Sequence, residues 1–238
     1  MQFPYDDQLA ALVQNDAYSI DAVVQTLQAI DAILDGSRDG LKWFNTLYLQ
    51  VTVAVQKRVA ENDFDDAEGT TFIANLDFVF ANLYFAALRA WLSAGDPPQS
   101  WRVLFEQRAN RALARIQFAL SGVNAHINRD LAVAIVKMCQ PRYQTIQYQA
   151  YTALNTTLDS LIEQAKRELM VTLPGDALPG ADKVELAVGA WSVAAARESA
   201  WVNAEILSAI AGEPLLSKRF IDTLDGTAAL AGKALLVS

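Results

Sequence analysis

Apolar residues recur at helical spacing from one end of this chain to the other, and Gly and Pro fall between the periodic segments rather than inside them. Ser19 and Asp21 are placed to cap a helix running to about Leu34, which the turn Asp35 to Gly40 stops. In the next segment, Leu41 to about Ala60, Phe44, Leu47, Tyr48, Val51 and Val55 follow the i, i+3, i+4, i+7 rule, and the acidic stretch Glu61 to Glu68 reads as a solvated connector. An aromatic-rich helix is predicted from Thr70 to Ser93, ended by Gly95-Asp96-Pro97-Pro98. Ser100 then caps a long helical region that reaches Pro141 with a break near Gly122, and a further helix spans Arg142 to Met170. The Pro-Gly segment Leu173 to Gly180 is a loop, and helices at about Asp182 to Ala211 and Leu215 to Val237 close the chain. No strand pattern and no repeat emerges. The prediction is an all-α, multi-helix bundle of about eight helices in a single domain, residues 1–238, because no segment has a linker's length and composition.

Composition narrows the class. Hydrophobic residues at 53% against charged residues at 19% make a folded globule, not a disordered chain. With 27 acidic against 19 basic residues the net charge is -8, so neither nucleic acid nor an anionic membrane surface is an expected partner. The single cysteine, Cys139, has no second thiol to pair with and is read as a buried, inert residue of the apolar stretch it ends. The opening MQFPYDDQLA lacks a basic region followed by an apolar run, and runs such as Leu131 to Val136 fall far short of the roughly 18 residues of a membrane span. A cytoplasmic location is the expectation, and self-association into a homo-oligomer stays open.

Candidate chemistry concentrates between Gln117 and Val136, where polar side chains interrupt an apolar helical run. On a wheel of about 100° per residue, Gln117, Ser121, Asn124 and Asn128 form one narrow stripe beside the apolar arc of Ile116, Leu120, Val123, Ile127 and Leu131. His126, the one histidine, and Asp130 flank the other side of that arc, four residues apart. A face this broad buries part of both margins, and each buried polar group needs a partner. A carboxylate one turn from an imidazole orients the ring for proton transfer. His126 and Asp130 are therefore the leading catalytic candidates, with Glu106 or Asp77 as a second carboxylate. Asn124, Asn128, Asn82, Tyr84, Trp101, Arg197, Glu198 and Trp201 are candidates for holding a substrate.

The aromatics Trp43, Phe44, Tyr48, Phe72, Phe80, Tyr84, Trp101, Phe105, Trp191 and Trp201 are core formers that can also wall a pocket for a small apolar or amphipathic molecule. No phosphate loop, nucleophile elbow, Cys-x-x-Cys or H-E-x-x-H occurs, and no cofactor is expected. Two other readings stand beside the acid–base enzyme. One is a non-catalytic module that binds an apolar ligand or a partner protein, with the polar cluster fixing helix register. The other is a mononuclear metal enzyme using His126 and Asp130 with a third ligand from another helix, a poor supply for metals that favour two or more imidazoles.

The stretches Leu41 to Thr52, Asn75 to Trp91, Trp101 to Arg108, Ile116 to Val136, Arg197 to Trp201 and Leu224 to Leu236 give the chain a further reading. Over most of its length it resembles the bacterial and fungal family known as domain of unknown function 5995. The run NAHINRDL, Asn124 to Leu131, is the most distinctive of these stretches. The resemblance implies a helical fold with a shared polar centre and carries no substrate.

Overall fold

The computed structural model describes residues 3–169 and 192–236. All their regular structure is helical. Helices α1 (Asp6–Leu12), α2 (Ile20–Ile33), α3 (Leu41–Ala60), α4 (Ala67–Leu92) and α5 (Gln99–Gln107) lead to a continuous central helix. That helix is α-helical over α6 (Arg115–Ala125), widens to a π-helix over His126–Leu131, and returns to α-helix in α7 (Ala132–Met138). A 3-10 turn (Pro141–Tyr143), α8 (Gln144–Ala153), α9 (Asn155–Leu169), α10 (Val193–Ala209) and α11 (Pro214–Leu235) follow. The expected loop at 173–180, the start of the helix expected from Asp182, and Trp191 lie outside the described residues.

The central helix organises the bundle. Its first half packs on α3, α5 and α11, its π segment on α4, α10 and α11, and α7 on α4 and α10. One contiguous core runs through these contacts from Leu9 to Leu207. Gly122 does not break the helix, contrary to expectation. It lets α3 approach, since a Cβ there would lie 2.3 Å from the Phe44 ring. Helix α4 is long and apolar enough to cross a membrane by length and composition alone, yet 50% of its most apolar window is buried inside the fold, as in a core helix.

Local rules set several boundaries. The Ser19 side chain accepts from the Ala22 amide and Asp66 from the Glu68 amide, capping α2 and α4. The stop after α4 uses Ala94, at φ 54°, while the Gly95 amide donates to the Ala90 carbonyl.

Long-range bonds set the others. Ser100 is not the cap of α5. Asp225 of α11 caps that helix from outside, accepting from the Gln99 amide (2.7 Å), the Ser100 amide (3.0 Å) and the Ser100 hydroxyl (2.7 Å). The predicted long helix breaks at 108–114, not at Gly122, because the Arg108 carbonyl accepts from the Gly40 amide at 2.7 Å. The Arg108 guanidinium, 3% exposed, is held by Asp39 (2.6 Å) and Asp6 (3.0 Å). The helix predicted over Arg142–Met170 is divided at Leu154, where arginines capture the adjoining carbonyls, Arg197 that of Tyr151 and Arg58 that of Ala153, each at 2.7 Å.

Candidate functional site

The π segment places His126 and Asp130 wholly inside the protein, at 2% and 0% exposure. The His126 ring lies flat on Phe80, centroids 3.4 Å apart and planes 6° apart, and meets Tyr48 edge-on at 4.7 Å. Phe44, Trp101 and Tyr84 also stand around the ring, at centroid distances of 6.0, 5.7 and 6.4 Å. His126 Nδ1 sits 3.2 Å from Asp130 Oδ2. That oxygen also accepts from Trp101 Nε1 at 2.8 Å, and Oδ1 accepts from the Arg129 guanidinium at 2.5 Å. Three donors on one carboxylate fix it in place, and it fixes the ring.

With Nδ1 donating to the carboxylate, Nε2 carries the lone pair. Nε2 is buried and has no protein hydrogen-bond partner. His126 belongs to the wall of a cavity of about 90 Å³ between α3, α4, the π segment, α9 and α10. Most of that wall is aliphatic, including Leu47, Val51, Val55, Ile73, Leu158 and Ile162. Among the described residues, Asp77, Tyr48 and Arg197 are its other polar members. Asp77 Oδ2 and the Tyr48 hydroxyl are, like His126 Nε2, shielded atoms without a partner. Thr52, one turn beyond Tyr48, donates its hydroxyl to the Tyr48 backbone carbonyl at 2.9 Å.

Burial sets the charge states. It pushes the Asp77 carboxyl up from 3.8 to about 8, so this acid is largely protonated at neutral pH. It holds the Tyr48 phenol well above its ordinary range, with the neighbouring Asp77 adding to the effect. For His126 burial lowers the pKa, opposed by the Asp130 carboxylate, and the ring is neutral at pH 7. The cavity thus carries an uncharged base beside two uncharged acids.

The other residues singled out by sequence are distributed differently. The stripe on α6 docks the last helix. Asn124 Nδ2 donates to the Ala228 carbonyl (2.7 Å), Gln117 Nε2 donates to the Leu235 carbonyl (2.8 Å), and Asn128 donates to Asn124 Oδ1 (2.8 Å). Asn124 and Asn128 therefore do not line the cavity. Asn82 binds the Ala17 amide and carbonyl, both at 2.8 Å, and holds the chain before α2. Tyr84 and Trp101 stand behind the histidine as packing, Trp101 also securing Asp130.

Glu106 is exposed, because Trp101, Leu104, Phe105 and Arg108 turn the opposite face of α5 inward, so it is no second carboxylate for this site. Glu198 is exposed and accepts from the Tyr148 hydroxyl. Trp201 packs on Tyr148 and Tyr151, with its Nε1 on Glu205, away from the cavity wall. Cys139 is half-buried rather than buried, since it sits past the end of α7, and burial with Glu205 nearby raises its thiol pKa. Among the described residues no three His, Cys, Asp or Glu side chains gather as a metal site requires. Periodicity and the aromatic series place Tyr48 on an inward wall, but not among the polar candidates for the site. Its spacing marks an inward face and says nothing about whether its hydroxyl finds a partner.

No curated protein and no solved structure matches this chain. A family model does, over residues 20–238, which takes in the central helix and every polar residue of the cavity. The chain therefore belongs to the family of unknown function DUF5995.

Proposed function

We propose that the protein is a small-molecule enzyme in which His126 Nε2 moves a proton to or from an apolar or amphipathic compound held in the cavity. Asp130 positions the ring and stabilises the imidazolium that forms, while Asp77 and Tyr48 donate hydrogen bonds to an oxygen on which charge develops. One observation carries this reading: three residues that line one apolar cavity, His126, Asp77 and Tyr48, each hold a shielded polar atom without a protein partner. Leaving each unpaired costs on the order of 1–3 kcal/mol, a cost a ligand presenting an oxygen and an acidic C–H would offset. A base and acids with displaced pKa values suit proton shifts, such as isomerisation or cyclisation, better than hydrolysis, which also needs a place for water.

The test is proton exchange. A panel of small apolar ketones and esters is incubated in D2O with the protein, and NMR follows carbon-bound deuterium and any conversion. Wild type is expected to act on at least one compound, and His126→Gln to lose at least about 100-fold in rate with its thermal midpoint essentially retained. The rate should fall below the ordinary histidine range, as the base is protonated, and fall again above about 8 as Asp77 ionises. Binding without any conversion, identical in wild type and variant, would leave a non-catalytic binding module.

A further inference from the structure

Arg197 of α10 is 6% exposed and lines the same cavity. Its hydrogen bonds go to neutral acceptors, Nε to Asn155 Oδ1 at 2.8 Å and one terminal nitrogen to the Tyr151 carbonyl at 2.7 Å. The guanidinium lies 3.9 Å over the Tyr151 ring. Among the described residues no carboxylate pairs with it. The acidic residue that influences it, Asp159, is exposed, and its sequence neighbour Glu198 is engaged by Tyr148.

The same fold treats its other fully buried arginine differently, giving Arg108 two carboxylates. A buried guanidinium stays charged, and hydrogen bonds to neutral acceptors with a ring contact offset its desolvation only in part. Asp77 does not supply an anion, since burial alone accounts for its shift and keeps it protonated. Among the described residues the cavity wall holds no lysine and no second arginine, so the fixed charge they bring to it is the planar fork of Arg197. That fork matches a carboxylate, which it can bind through two parallel hydrogen bonds, whereas a phosphate's extra charge would call for further cations.

We propose that Arg197 anchors the acid group of the ligand, which makes the natural ligand a small amphipathic carboxylate whose apolar part lies against Val51, Val55, Ile73, Leu158, Ile162 and Val193. This rests on the reading of the cavity as a ligand site and assigns the ligand's chemical class. It places the charged head at Arg197 and leaves the cavity's uncharged base and acids free for the reacting part of the molecule.

The test compares ligands that differ in head group alone. Calorimetric titration of the full chain with hexanoate and hexanamide at pH 7, repeated with butanoate and butanamide, reads the preference for charge. Wild type is expected to bind the carboxylates roughly tenfold more tightly than the amides. Arg197→Gln should abolish that preference, and Arg197→Lys, which keeps the charge and loses the fork, should weaken it. Equal binding of carboxylate and amide by wild type overturns the anchor while leaving the acid–base reading intact, and because it needs no variant, it decides even where Arg197→Gln fails to fold. Binding of none of the four compounds overturns it too. Loss of proton exchange in wild type with the carboxylate preference present would instead remove the catalytic reading alone.

Discussion

Replacing Asp77 by Asn stabilises the protein at pH 7 by roughly 2–4 kcal/mol, and the gain vanishes as the pH falls toward 4. The folded carboxyl titrates at about 8 and the unfolded one at 3.8. Below the lower value both states are protonated and the residue makes no difference. As the pH rises between the two values, the unfolded chain loses a proton that the folded chain keeps, so folding loses stability with each unit. Above about 8 both forms are ionised and the penalty stays constant.

Each pH unit in this window is worth about 1.4 kcal/mol, which sets an upper bound near 4 kcal/mol at pH 7. The partial exposure of the residue reduces that figure. Asn has the same shape and no proton to lose. Urea unfolding of both proteins at pH 4, 7 and 9 should show curves that coincide at the first and separate at the other two. Equal stability at all three would mean that Asp77 is solvated and ionised, and it would then be no proton donor. A residue kept at such a cost to stability is more readily explained by a ligand than by folding.

The opposite and comparably large effect is expected at Asp130. Its two oxygens receive Trp101 Nε1, His126 Nδ1 and the Arg129 guanidinium, all in the interior or at its edge. Asp130→Ala strands these donors together and should destabilise by roughly 3–5 kcal/mol. Asp130→Asn keeps the volume but turns a donor toward either Trp101 and His126 or Arg129, and should lose somewhat less. Chemical denaturation at pH 7 measures both. A loss below about 1 kcal/mol for Ala would show that the carboxylate is not the hub of the cluster.

Elements governed by neighbours in sequence were legible. Ser19 caps α2 because its hydroxyl reaches an amide three residues on, and α3 runs from Leu41 to Ala60 because its apolar stripe has one face to bury. The contact between His126 and Asp130 follows from their spacing on one helix. Where a distant group decides, local pattern fails. The end of α5 depends on the Gly40 amide, its start on Asp225 more than a hundred residues away, and the division at Leu154 on two arginines from other helices.

The polar stripe of α6 was visible as a stripe, yet spacing does not say what it faces. Its amides meet the carbonyls of α11, those of Leu235 and Ala228. Periodicity likewise placed Tyr48 in the core without showing that its hydroxyl would be left facing a cavity beside Asp77.

Acid–base chemistry in the cavity requires His126 to hold an unprotonated Nε2 while its Nδ1 proton rests on Asp130. Because the chain contains 1 histidine, protein labelled with 15N-histidine gives one imidazole to follow by NMR through a pH titration. The expected result is a protonated Nδ1 and an unprotonated Nε2 at pH 7, with the ring taking up its second proton only below the ordinary histidine range. An Nε2-protonated tautomer or an imidazolium at pH 7 would contradict it.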